Sequence, residues 1–307
     1  MKLEIIDINK SFSGKQILHD VSFTVESGKA MGYLGRNGAG KTTTIRALMG
    51  VFRQDSGSFL LDGKVFNPNK NRVGYLPEER GMYGKEPILE QLIYFARLRG
   101  AKKSDAVKSA EYWVDRFGLG EYKKKKLETL SKGNQQKIQI AQAFLNDPDI
   151  LILDEPFSGL DPVNSQALKD IIMEFITKEK LVIFSSHQMG YVEDFCDEIT
   201  LIDNGRIVLN GDLREIKKNL RSNKLRLSVV NMDNERLKAF LMEKISSIRI
   251  TEDKKSVILE LIAGKTSREL LSELIENNLE IEKFEVYEPS LQDIFIRTVG
   301  DENEKLG

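Results

Sequence analysis

The chain has 307 residues, with 46 Lys and Arg against 47 Asp and Glu and a formal net charge of −1. That balance argues against a surface built for non-specific nucleic-acid binding, so no nucleic-acid partner is expected. Hydrophobic residues at 40% and charged residues at 30% suffice for a full core in two domains, or in one domain with an appendage. The single cysteine excludes an internal disulfide, and one Cys with two His makes a zinc site unexpected. The start, MKLEIIDINK, lacks the apolar core of a signal peptide. No apolar run approaches the ~18 residues of a membrane span, so any membrane function needs another chain to cross.

In chain order, the runs AMGYLG, RVGYLPEE, ILILDEP and LVIFSSH end abruptly in polar or glycine residues and lack period-two alternation. Strands buried on both faces of a parallel sheet read this way, and ligands bind beyond their carboxyl ends. Between the first two, KTTTIRALMG places Ile45, Leu48 and Met49 on one helical face and stops at Gly50. From Pro87 to Gly118 the pattern is helical: PILEQLIYFARLRG, then SDAVKSAEYWVDRFG with Ser104 as expected N-cap and Val107, Ala110, Val114 and Phe117 aligned. A helical subdomain over about residues 84–146 is expected, with Trp113 packed inside it. Lys123–Lys126 reads as a solvated surface. Cys196, beside Val192 and Phe195 in YVEDFC, reads as core. After about residue 220 the order becomes β-α-β-β-α-β: KLRLSVV, NERLKAFLMEK, SSIRI and SVILELI around a Glu-Asp-Lys-Lys turn, a helix capped by Thr266 with Glu269, and IEKFEVY. A final helix, LQDIFIRTVG, follows. That order suggests a ferredoxin-like domain.

The chemistry concentrates in a few places. GRNGAGKT, Gly35 to Thr42, follows a strand and opens a helix, which is the context a P-loop requires. Gly35, Gly38 and Gly40 permit positive φ, so that backbone N–H groups around Arg36, Asn37 and Ala39 converge on phosphate. Lys41 supplies a point charge, the Thr42 hydroxyl can ligate Mg²⁺, and Thr43 extends the loop into the helix. A plain glycine-rich turn is the competing reading, and the register of strand, motif and helix disfavours it. Asp154 ends a buried strand where it can hold Mg²⁺; Glu155 follows, placed to orient and deprotonate water.

P-loop, LSKGN, ILILDEP, SGLDP and SSH occur in this order, with a helical insertion before the second. The set resembles the ATP-binding subunit of an ABC transporter over roughly residues 1–215. LPEER and an extra C-terminal domain ending EPSLQDIF are similar to the sodium- and drug-exporter type. The resemblance implies that Ser158–Asp161 form the D-loop, that His187 is the switch histidine at the γ-phosphate, and that Phe12 stacks on adenine. The family signature is most often Leu-Ser-Gly-Gly-Gln and reads the ATP held by a second subunit. Ser131 and Gly133, the positions that touch phosphate, are kept, whereas Lys132 and Asn134 depart from it. Glu78 departs too: the family usually has glutamine near this position, in a loop that senses Mg²⁺, and a carboxylate is a stronger metal ligand.

The expected fold is therefore an α/β P-loop NTPase core of ABC type, with an antiparallel N-terminal sheet and a helical subdomain. It spans residues 1–220, with a small C-terminal α+β, ferredoxin-like domain over residues 221–307. The implied function is ATP hydrolysis with Mg²⁺ that powers transport, as export, through separate membrane-spanning permease subunits. The implied setting is a homo- or heterodimer with a second ATP-binding subunit, cytoplasmic and peripheral on the inner face of the cell membrane. The alternative is a soluble ABC-type ATPase of an assembly or repair system. Against repair, no long coiled coil separates the P-loop from LSKGN; against translation factors, there is one cassette and no basic linker.

Overall fold

The computed structural model describes residues 1–79, 81–177, 179–220, 223–253, 256–262 and 264–305. The chain opens with a long antiparallel hairpin, β1 (Lys2–Phe12) and β2 (Lys15–Glu26), and enters β3 (Ala30–Leu34), buried at every residue. A glycine-rich turn leads to α1 (Lys41–Leu48), then β4 (Ser56–Leu61), β5 (Lys64–Val65) and β6 (Val73–Leu76). The helices α2 (Ile88–Leu98), α3 (Lys103–Arg116) and α4 (Lys132–Ala143) precede β7 (Ile150–Asp154) and α5 (Pro162–Phe175). Next come β8 (Leu181–Ser186), α6 (Met189–Phe195), β9 (Glu198–Asp203), β10 (Arg206–Asp212) and α7 (Leu213–Asn219). The remainder is β11 (Lys224–Val229), α8 (Asn234–Lys244), β12 (Ile248–Asp253), β13 (Ser256–Leu261), α9 (Ser267–Glu276), β14 (Ile281–Val286) and α10 (Leu291–Lys305).

The expected fold is observed. One sheet is antiparallel, in the order β2-β1-β4-β5. A second, in the order β10-β9-β3-β8-β7-β6, is parallel from β9 to β6 and carries β10 antiparallel at its edge. The two sheets share a core in which Leu3, Ile5 and Val21 meet Met31, Tyr33, Ile152 and Ile183. The strands β3, β7 and β8 are apolar without alternation because both of their faces are covered. Parallel pairing then brings the ends of β3, β6, β7 and β8 to one edge of the sheet, each followed by a residue singled out in the sequence.

The helical insertion buries Ile88, Leu92 and Ala96 from α2 and Ala110 and Val114 from α3, with the Trp113 ring 4.7 Å from that of Phe144. Two local expectations are corrected. The N-cap of α3 is Lys102, with no side-chain cap, and Ser104 lies inside the first turn, 3.4 Å from Asp105 Oδ1. The buried position there is Ala106, not the half-exposed Val107, because Ala106 stands four and eight residues before Ala110 and Val114 on the inward face. The end of α4 presses on β6 at Gly74, where a Cβ would come within 2.0 Å of the Ala143 carbonyl oxygen. Cys196 is buried, as expected of a core residue.

Met1–Leu213, with the chain from Phe295 on, forms one compact unit and Arg214–Ile294 a second. Within the second, the antiparallel sheet runs β12-β13-β11-β14, which is the ferredoxin-like order. Leu225, Leu227, Val257 and Leu259 of this sheet pack under Leu237 and Leu241 of α8 and Leu270 and Leu274 of α9. The Thr266 capping box forms in full, Glu269 N–H donating to Thr266 Oγ1 at 3.2 Å and Thr266 N–H to Glu269 Oε2 at 2.7 Å. Lys254 and Lys255 of the expected turn lie outside the described residues.

Candidate active site

The glycine-rich turn after β3 is held by its own short residues. Gly38 and Gly40 take φ of 80° and 116°, open to glycine at no steric cost. Gly35 does not take positive φ, contrary to expectation; glycine is required there because a Cβ would sit 2.4 Å from the Ile202 carbonyl oxygen. Gly40 is the N-cap of α1 and offers no side-chain cap, which leaves the first-turn amides for an anion. Behind them, the buried Tyr33 hydroxyl donates to Thr44 Oγ1 at 3.0 Å, and that hydroxyl donates to Gly40 O at 3.0 Å. Burial pushes the Tyr33 phenol pKa up, so it stays a neutral donor. Arg36, Asn37 and Gly38 are exposed, Ala39 is buried, and Thr42 and Thr43 are half-buried.

Lys41 is buried, and its Nζ donates to Gly35 O at 2.8 Å and Arg36 O at 3.2 Å, with Glu155 Oε1 3.7 Å away. The cation is thus held by carbonyls of the turn itself. Phosphate oxygens, as charged acceptors, would compete for it on better terms.

Asp154, at the end of β7, is fully buried. Its Oδ1 accepts from the Ser185 hydroxyl, while Oδ2 has no hydrogen-bond partner. Burial raises its pKa above the usual carboxylate range; the Ser185 and Thr42 hydroxyls pull it down and the charges of Glu78 and Glu155 push it up. The Thr42 hydroxyl also donates to Glu78 Oε2 at 3.2 Å. A bare carboxylate oxygen beside a hydroxyl and a second carboxylate is the donor set a hard divalent cation takes. No cluster of three or more His, Cys, Asp or Glu among the described residues could hold a metal by itself, so the set fits Mg²⁺ that arrives with a nucleotide's phosphates.

The raised pKa has a stability consequence. Native Asp154 binds its proton more tightly than in the unfolded chain, so its favourable contribution is complete below the unfolded value and is lost as pH rises through the folded value. At neutral pH the metal-free charge is destabilising. Asp154→Asn should therefore abolish hydrolysis yet raise the metal-free Tm at pH 7, a gain that shrinks toward pH 4. Calorimetry in chelator checks this, and an unchanged or lower Tm would overturn it.

Glu155 is buried and takes φ of 51°, a left-handed conformation that costs a non-glycine residue about 1 kcal/mol. Its N–H donates to Ser185 O at 3.2 Å, and its Oε1 lies 2.9 Å from His187 Nδ1, which follows β8. Lys41, Thr42, Glu78, Asp154, Glu155 and His187 thus converge from four separate segments. Among the described residues, no hydrogen bond or ion pair joins Phe12, Ser131, Gly133 or Asp161 to the turn. Phe12 is 43% exposed and meets Phe52 edge-on, centroids 5.1 Å apart. Ser131 caps α4, its Oγ accepting from Asn134 N at 3.3 Å, and Asp161 caps α5, accepting from Asn164 N at 2.9 Å. Gly133 is near Asn164, whose Nδ2 would be 3.8 Å from an added Cβ. The sequence reading missed Ser185, although the hydroxyl pair before His187 was a visible signal, and Gln136.

A fold of this kind, with a glycine-rich phosphate turn and acidic strand ends, defines a P-loop nucleoside triphosphatase. Comparison with known proteins narrows the class. The family described as ABC transporter matches residues 18–158, and the one described as ATP-binding protein DrrA1-3-like, C-terminal domain, matches residues 211–299. The uncharacterized ABC transporter ATP-binding protein YhaQ of Bacillus subtilis is 40% identical, covering 97% of this chain and 98% of its own. The bacitracin transport ATP-binding protein BcrA of Bacillus licheniformis is 29% identical over 97% of each chain. A solved ATP-binding subunit of an ABC transporter superposes with a TM-score of 0.67 at 28% identity, covering 79% of this chain and 100% of that one. The chain belongs to the family of ABC transporter ATP-binding proteins. It binds and hydrolyses ATP to power transport, and it works with membrane permease components. No described helix is long and apolar enough to cross a membrane.

Proposed function

We propose that the chain is the ATPase of an exporter, docked at the cytoplasmic face of the cell membrane on separate membrane-spanning permease subunits and paired with a second ATP-binding subunit. Residues 1–220 would form the ATPase domain and residues 221–307 an accessory domain. Export is favoured by relatives whose names speak of bacitracin transport and linearmycin resistance. The observation that carries the reading is the convergence of Lys41, Thr42, Glu78, Asp154, Glu155 and His187 at one sheet edge. In this reading the turn and Lys41 bind the phosphates. Thr42, Asp154 and Glu78 hold Mg²⁺, which when bound neutralises charge on the phosphates. Glu155 takes the proton of the attacking water, and His187 orients Glu155 through Nδ1. Phe12 stacks on adenine, while Ser131, Gly133 and Asp161 serve the nucleotide on the partner subunit. Co-purification of the tagged chain from detergent-solubilised membranes with a multi-spanning protein would support the reading; recovery only with soluble partners would overturn it.

Glu78 gives a sharper test. A carboxylate accepts through two oxygens and carries a full charge, whereas an amide offers one neutral oxygen. Glu78→Gln should raise the Mg²⁺ concentration for half-maximal hydrolysis roughly threefold to tenfold, and tighten binding of metal-free ATP by removing a repelling charge. Superimposable Mg²⁺ titrations of wild type and variant would exclude direct ligation.

A further inference from the structure

Helix α4 presents Ser131 at its N-terminus and, one turn further on, turns a polar side chain inward. Gln136 is 6% exposed. Its Nε2 donates to Ser158 O at 2.6 Å and to Pro156 O at 3.3 Å, and an added Cβ on Gly159 would lie 3.4 Å from its Oε1. The stretch it grips, residues 156–159, begins directly after Glu155. It folds back on that residue, the Ser158 N–H donating to Glu155 O at 3.3 Å. Glu155 carries the left-handed φ, so its carboxylate direction depends on whatever fixes this turn. A primary amide has two N–H donors, and here both are directed at carbonyls of a single turn. The far end of the turn is pinned separately, Asp161 accepting from Asn164. One side chain therefore joins the start of α4 to the backbone that carries the catalytic carboxylate.

We propose that Gln136 is a positioning residue that couples α4, which serves the partner subunit's nucleotide, to Glu155, which serves this chain's own, so that the two sites of a dimer fire together. The proposal rests on the dimer reading above. A buried amide that merely satisfies a loop would matter for stability alone. The coupling role requires the donor itself, and the isosteric Gln136→Glu separates the two. Ionised, the new carboxylate faces two carbonyl oxygens with no donor; protonated, its O–H restores one bond to Ser158 O. Burial beside carbonyls places that protonation above the usual carboxylate range. The titratable groups along the same turn are Glu155 and Asp161, with Lys137 next on α4. Reading the ratio of variant to wild type at each pH cancels their own titration and that of His187.

At pH 8, Gln136→Glu should lower kcat about tenfold to a hundredfold, the scale of a small misplacement of a catalytic group. The KM for ATP should stay within twofold or so of wild type, because the phosphate turn is untouched, and the dependence on ATP concentration should become non-cooperative. Lowering the pH to about 6 should recover part of the loss in Gln136→Glu and none in Gln136→Leu. Amide exchange over residues 157–160 in the metal-free chain, a readout independent of turnover, should accelerate in both variants at pH 8 and return only in Gln136→Glu at pH 6. Wild-type kcat and cooperativity in Gln136→Glu at pH 8, or a loss equal at both pH values, would overturn the proposal. If Glu155→Gln traps no ATP-bound dimer, the composite-site reading fails instead, and the exchange result still decides whether Gln136 holds the turn.

Discussion

Replacing Glu155 with glutamine will leave ATP binding intact and slow hydrolysis by about a hundredfold or more, the loss expected when a general base becomes an amide that cannot take a proton. The expectation comes from position. Glu155 Oε1 is buried within 2.9 Å of His187 Nδ1 and 3.7 Å of Lys41 Nζ, while the amides of the phosphate turn belong to a different segment. Glutamine is isosteric and its carbonyl oxygen still accepts from His187, so affinity should be kept within a few-fold. With hydrolysis blocked, the ATP-bound dimer should accumulate and elute at twice the monomer mass in ATP and Mg²⁺. Near-normal turnover in Glu155→Gln would remove Glu155 from the role of base and point to another group activating the water.

Ser131→Arg should abolish hydrolysis while single chains bind ATP as tightly as wild type. Ser131 is exposed, caps α4 through a 3.3 Å bond from Asn134, and makes no hydrogen bond or ion pair to the phosphate turn of its own chain among the described residues. Arginine there forfeits that cap, costing about 1 kcal/mol, a loss a chain of this size survives. Its bulk would block the partner's phosphates. Mixing Ser131→Arg with Lys41→Ala gives the stronger result. Each variant alone pairs into dimers with both sites damaged. A mixed dimer has one site damaged in both halves and one site intact, so partial activity should reappear on mixing where one site can fire by itself, and none where both must fire together, as the Gln136 proposal has it. Full activity in Ser131→Arg alone would show that each chain hydrolyses ATP without a second signature.

The amino-acid sequence by itself determined the order of elements and the chemistry at the strand ends. Runs such as ILIL and LVIF are apolar at consecutive positions and stop at polar residues, the pattern of a doubly covered strand, so the parallel sheet was legible locally. Asp154 and Glu155 could be picked out because they close such a run, Lys41 and Thr42 because they complete the glycine-rich motif, and His187 through the family resemblance. The capping box at Thr266 was legible for the same reason, since both its bonds span three residues.

Tertiary structure decided whatever depends on neighbours distant in the chain. Gly35 is glycine because the Ile202 carbonyl crowds it, not because of its φ, and nothing within the motif itself shows that. Ser104 has the right residue type for a cap, yet the N-cap is Lys102, two residues earlier, and packing buries Ala106. The pair Ser185 and Ser186 was visible before His187, and Gln136 reads as an ordinary helix position, but neither shows its partner. Their hydroxyl and amide meet Asp154, Pro156 and Ser158 only after the sheet has formed and α4 has settled on β6 at Gly74. Periodicity and propensity act over a few residues. A buried donor finds its acceptor through the fold, because leaving either unpaired costs more than any local preference supplies.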